Sequence, residues 1–217
     1  MKEIGKDIIA QGLVEGVAKA VLSSVPFVNY FVQVADSVKD NVLQRRYEIW
    51  REMVGQRLSE LSQEVLSKLG NNENFATILI KTTELAAKTN GKKMEYLANA
   101  VKYAAENDID EDTLIIMLNC IEKYTLSHIT LLKYLENPSS YSNGKSYLAG
   151  GLLTYFDDYY PNFDKKLQNI ILKDLFRDGL TTTDINGTMT SSGMNVKRTT
   201  ELGDLFIILF GVENDGK

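Results

Sequence analysis

Apolar residues recur at every third or fourth position along most of this chain, the spacing that gives a helix one buried face. Ile9, Leu13, Val17 and Val21 predict a first helix over residues 4–23. Pro26 interrupts it, since proline lacks the amide that a helix interior needs. A long amphipathic helix is then predicted over 27–69. Leu43, Tyr47, Trp50, Val54, Leu58, Leu61 and Val65 form its seam, and Glu64 and Lys68 pair on its polar side. Gly70, Asn71 and Asn72 are the expected stop, because these residues tolerate left-handed backbone. Further helices are expected over 73–89, 92–106, 111–123 and 126–136. Asp110 and Thr125 are placed to cap the last two through their side-chain oxygens.

After Pro138 the pattern changes. Residues 138–144 are rich in Ser, Asn and Gly and read as a linker. Helices are expected over 145–159 and 162–178, the second stopping at Gly179. Short strands are expected over 180–185 and 194–199, and a closing helix over 200–210. Helix, helix, hairpin, helix is a winged-helix-like order. The expectation is therefore a mainly α protein. A helical bundle over 1–137 with its long amphipathic helix leads, by way of the linker, to a small winged-helix-like α+β module over 145–217.

On the first helix, Gly12, Gly16, Ala20 and Ser24 lie four apart, so another helix backbone can come close along that stripe. Packing within the bundle is the preferred reading, and a membrane or partner contact is the alternative. Glu15 and Lys19 speak against a buried transmembrane pair. The uncharged stretch 20–35 is broken by Ser23, Ser24, Pro26, Asn29 and Gln33, whereas a spanning helix needs about 20 apolar residues. Glu3 and Asp7 stand where a secretion signal would be basic and then apolar.

Composition narrows the function classes. A 44% hydrophobic content with 24% charged residues is that of a globular chain rather than a disordered one. The net charge of −5 disfavours general nucleic-acid binding, and neither side of Pro138 is basic. Cys120 is the one cysteine, so no intrachain disulfide forms and a reducing, cytoplasmic setting is expected. In that setting Asn186-Gly187-Thr188 reads as a turn rather than a glycosylation site.

The motifs that invite chemistry each lack a part. Gly144-Lys145-Ser146 resembles the end of a phosphate-binding loop, but Ser139 stands where its first glycine is needed and no buried strand precedes it. Asp108, Asp110 and Asp112 open like a calcium loop, which then requires glycine where Thr113 stands and glutamate where Asn119 stands. His128 is the only histidine, which removes multi-histidine metal sites. Pairing it with Cys120 for nucleophilic chemistry needs a third, orienting group that the sequence does not identify. The acidic and aromatic run 157–164 reads as a capping turn. No catalytic, cofactor-binding or metal-ligating residue is therefore assigned, and no cofactor is expected. In the C-terminal module Lys165, Lys166, Lys173 and Arg177 alternate with Asp164, Asp174 and Asp178, leaving Lys197 and Arg198 as the best candidate wing contacts to DNA.

Three segments carry a family resemblance. They are Arg46-Tyr47-Glu48-Ile49-Trp50 leading into 58–66; Lys92 to Ala100 followed by Leu126 to Leu132; and Arg198 to Phe206. With them the chain resembles a loose group of uncharacterised bacterial helical proteins with a winged-helix-like C-terminal module. The resemblance implies a bacterial or prophage setting with phage-defence genes nearby, and it carries over no active site. The expected function is that of a non-enzymatic interaction or adaptor protein, bound to a protein partner or to itself. A DNA-binding regulator is the first alternative. A membrane-active effector using residues 8–35 after a conformational release is the second.

Overall fold

A computed structural model describes residues 41–69, 72–89 and 91–212. The small-residue stripe Gly12, Gly16, Ala20 and Ser24 lies outside the described residues, as does the first predicted helix. The chain is mainly helical with one small antiparallel sheet. Two compact units divide between Leu118 and Asn119. Among the described residues no helix is long and apolar enough to cross a membrane.

In the first unit, α1 (Asn41–Ser59), α3 (Glu73–Lys88) and α4 (Lys92–Glu106) pack against one another, and the short α2 (Gln63–Lys68) lies on α4. Trp50, Val54 and Leu58 of the predicted seam are buried, as are Phe75, Ile78 and Leu97 on the helices packed against α1. The Trp50 indole Nε1–H donates to Thr83 Oγ1 at 2.9 Å, and that hydroxyl donates to the Leu79 carbonyl at 2.7 Å. Both polar groups are thereby satisfied inside an apolar core.

The predicted 27–69 helix does not run through: it breaks between Ser59 and Ser62. Ser62 accepts from the Val65 amide and starts α2, while Leu61 turns into the core between the two helices. A serine side chain offers the backbone an alternative to helix continuation, and here the burial of Leu61 goes with it. Asn72, expected in a stop signal, instead caps α3 by accepting from the Phe75 amide at 2.8 Å. Asp110 caps α5 (Glu111–Lys123) as expected, accepting from the Thr113 amide.

The second unit continues with α6 (Leu126–Glu136) and a 3-10 turn (Pro138–Tyr141). It then runs through β1 (Ala149–Gly151), α7 (Thr154–Tyr159), α8 (Lys165–Arg177), β2 (Thr188–Thr190), α9 (Ser191–Met194) and α10 (Glu201–Leu209). Helix α6 packs on α8, α10 and the 3-10 turn. Tyr134, Tyr141, Phe156, Tyr159, Tyr160 and Phe163 form one connected aromatic cluster, with ring centroids mostly about 5 Å apart. The Tyr134 hydroxyl donates to the Leu152 carbonyl at 2.5 Å, so a fully buried phenol is paired.

The sheet forms elsewhere than predicted. β1 pairs antiparallel with β2, Gly150 opposite Met189, whereas the expected strands at 180–185 and 194–199 meet only in an isolated bridge between Thr181 and Thr199. Ala149-Gly150-Gly151 falls inside the helix predicted over 145–159. Two adjacent glycines weaken a helix there, and the missing Cβ of Gly150 lets Thr154 and Met194 approach; a Cβ would stand 2.6 Å from Thr154 Oγ1. Thr190 caps α9 by accepting from the Gly193 amide, and this helical turn takes in Met194, where the second predicted strand was to begin.

Helix α8 ends as expected. Gly179, with φ of +76°, sends its amide to the Phe176 carbonyl, and Leu180 sends its own to Leu175. This closing motif needs left-handed backbone, which glycine adopts without steric cost.

Candidate functional site

The richest group of titratable side chains in the second unit lies where α5 ends, α6 begins and α8 ends. Helix α5 stops at Lys123, and Thr125 takes extended backbone and caps α6. The Thr125 amide donates to His128 Nδ1 at 3.3 Å, and the Thr125 hydroxyl lies 2.9 Å from the same nitrogen. A backbone amide cannot accept, so Nδ1 is an acceptor, the hydroxyl donates to it, and the ring proton sits on Nε2. Nε2 faces Asp174 Oδ2 at 3.4 Å. The His128 ring stacks on Tyr124 with centroids 4.8 Å apart and planes 9° from parallel.

Tyr124 donates its hydroxyl proton to Asp178 Oδ2 at 2.7 Å, and Lys123 donates to the same oxygen at 2.6 Å. Arg177 pairs with Asp174. Burial and the neighbouring Asp178 carboxylate push the Tyr124 phenol well above its ordinary range. Burial also raises the Cys120 thiol, which interacts with the Tyr124 hydroxyl. His128 sits below its ordinary value because burial disfavours the imidazolium, with Asp174 opposing the shift. Burial pushes the Asp178 carboxyl up, yet it stays below the usual range because Lys123 and Tyr124 donate to it.

A thiol and a phenol held in their protonated forms are poor nucleophiles, because the anion is the reactive species. Tyr124 therefore joins the two residues weighed as a Cys120–His128 pair: it engages the thiol and stacks on the ring. The partners that sequence reasoning missed are Asp174 and Asp178. They stand four apart, Asp174 in the last turn of α8 and Asp178 at its C-cap, a spacing that brings two side chains to one side of a helix end and was the available signal.

The two candidate wing contacts are both occupied within the fold. Lys197 Nζ donates to Asp204 Oδ2 at 2.6 Å, and Thr199 donates to the other oxygen of that carboxylate. Arg198 donates to the Gly193 carbonyl at 3.0 Å, and its Nε is buried without a hydrogen-bond partner. Lys145, from the motif that resembles a phosphate loop, pairs with Asp158, which also accepts from the Tyr147 hydroxyl. Asp157 accepts from the buried Gln168 at 2.7 Å and Asp164 accepts from the Lys166 amide at the start of α8, so all three carboxylates of the acidic turn serve local contacts.

No protein family, curated protein or solved structure matches this chain. Among the described residues no group of three or more histidine, cysteine, aspartate or glutamate side chains is arranged to hold a metal ion.

Proposed function

We propose that this chain is a non-enzymatic interaction protein that binds a protein partner or a second copy of itself. The observation that carries this reading is the composition of α10. The helix buries Gly203, Phe206 and Leu209, yet leaves Ile208 59% exposed and Leu202 and Leu205 half-buried. A helix apolar on more than its core-facing side has surface left for a second contact. The bacterial or prophage setting, with phage-defence genes nearby, and a cytoplasmic location rest on the sequence resemblance and on the lone cysteine.

A DNA-binding regulator is the weaker reading, because Lys197 pairs with Asp204 and Arg198 donates to the Gly193 carbonyl inside the fold. The membrane-effector reading depends on residues outside the described ones. The experiment is an affinity capture of tagged protein from its host, with nuclease treatment and a salt series, beside light scattering of the purified chain. A defined protein, or a stable dimer, that survives nuclease and is lost in Ile208→Glu supports the reading. Recovery of nucleic acid alone, falling away as salt rises, overturns it in favour of the regulator.

A further inference from the structure

His128 is the only histidine in the chain, and it is buried at a helix cap rather than exposed. Histidine is the one side chain whose ordinary pKa lies between pH 5 and 8, so this ring is the natural place for the fold to sense mild acid. Its hydrogen bonds give that sensitivity a direction. Nδ1 accepts from the Thr125 amide, and a protonated imidazole would place an N–H there, donor against donor. The Thr125 hydroxyl can rotate to present its oxygen, but the backbone amide cannot. Nε2 keeps its carboxylate partner in either state, so the disturbance falls on the start of α6.

Charged and titratable groups stand on each of the elements packed around this corner. On α5 and just after it stand Cys120, Lys123 and Tyr124, the last two donating to Asp178. On α8 stands Asp174, held by Arg177 and 3.7 Å from the Lys123 ammonium, and at its C-cap stands Asp178. Helix α10 presents Phe206 to Tyr124, its Asp204 is taken up by Lys197 and Thr199, and Glu201 is exposed. The 3-10 turn contributes Tyr141, which packs on Tyr134 rather than on the ring. Lys133 and Glu136 of α6 itself lie more than a helical turn further along.

We propose that the second unit carries a one-proton acid switch, in which protonation of His128 breaks the capping contacts of Thr125 and loosens the α5–α6–α8 corner. The linkage sign follows from burial, which holds the closed form's imidazole below the 6.5 of an open chain. Well above pH 6.5 neither form is protonated and closing is independent of pH. As pH falls below that value the open form gains the proton first and is favoured by up to tenfold per pH unit. The effect levels off once the closed form also takes the proton.

The test is amide hydrogen exchange at Thr125, His128 and Ile129 of the full chain, corrected for intrinsic rates, from pH 7.5 to 5. It is run beside a nitrogen-15 titration of the single imidazole. The wild-type protection factors are expected to fall by up to tenfold per pH unit below pH 6.5, with the proton on Nε2 at pH 7.5. His128→Gln keeps an acceptor at the third helical position, where glutamine serves in capping boxes, and cannot titrate. Its protection is expected to be flat with pH. An equal slope in His128→Gln, a proton on Nδ1 at pH 7.5, or an imidazole titrating at or above 6.5 would each overturn the switch. Should the variant fail to fold, the wild-type nitrogen-15 titration decides alone.

Discussion

The two units reach stability by different means. In the first, three of its helices meet along apolar stripes, with a buried hydrogen bond from Trp50 to Thr83 among them. The second depends on particular backbone approaches and caps: the Gly179 turn, the Gly203 contact, the Thr125–His128 cap and the aromatic cluster around Tyr141. A stripe of apolar residues tolerates exchange of one hydrophobe for another, because volume and patterning matter most. A close backbone approach has no such tolerance. The comparison predicts that small changes at glycines wound the second unit more than comparable changes wound the first.

Gly203→Ala is the strongest test. A Cβ at Gly203 would stand 2.1 Å from the Leu180 carbonyl oxygen and 3.2 Å from the Thr199 Cβ, so α10 must move off that backbone. Alanine is the better helix former by roughly 1 kcal/mol, so on local propensity alone the change would stabilise. The expected outcome is a loss of more than about 3 kcal/mol in urea unfolding followed by circular dichroism, since overpacking against backbone leaves little room to relax. Trp50 is the only tryptophan and reports on the first unit, so its fluorescence transition shows whether both units lose stability together. A neutral Gly203→Ala would break the comparison.

That asymmetry also explains which parts of the fold were legible. The seam Trp50, Val54, Leu58 was readable because periodicity alone places it, and the caps Asp110 and Thr125 because a cap is local. The break at Ser59–Ser62 was not, because it depends on Leu61 finding a place in the core. Nor was the β1–β2 pair, whose strands are three residues each and are set by what Gly150 allows to come near. At the His128 corner, the histidine and its cap residue could be named from sequence. Asp174 lies 46 residues from His128, and only the fold brings them together. Lys197 and Arg198 were rightly noted as basic, but their intramolecular partners Asp204 and Gly193 turn on α9 and α10 folding back beside them.

A second test acts on the buried Trp50–Thr83 contact inside the first unit. Thr83→Val keeps the volume and removes the acceptor of the Trp50 indole N–H, in a position where Trp50 is 3% and Thr83 4% exposed. Leaving a buried donor unpaired costs about 1–3 kcal/mol. The expected result is a lower urea midpoint by Trp50 fluorescence with unchanged slope. A midpoint equal to that of wild type would mean that the apolar seam alone holds this unit, sharpening the contrast with the second.

The smallest effect is expected at Lys68. Its ammonium lies 2.7 Å from Glu64, but the side chains are 71% and 78% exposed, so water and salt screen the pair. An exposed pair spaced four apart contributes about 0.3–0.5 kcal/mol, and alanine's slightly better helix propensity offsets part of that. What holds the six-residue α2 is the burial of Leu61 before it and Leu69 after it, together with the Ser62 cap. Lys68→Ala should therefore leave the Trp50 unfolding midpoint unchanged within error, at low salt and at high. Leu69→Ala, which removes a fully buried side chain, should cost about 2–5 kcal/mol in the same assay. If the lysine mattered more than the leucine, the first unit would be held by its charges, and the distinction between the two units would have to be drawn elsewhere.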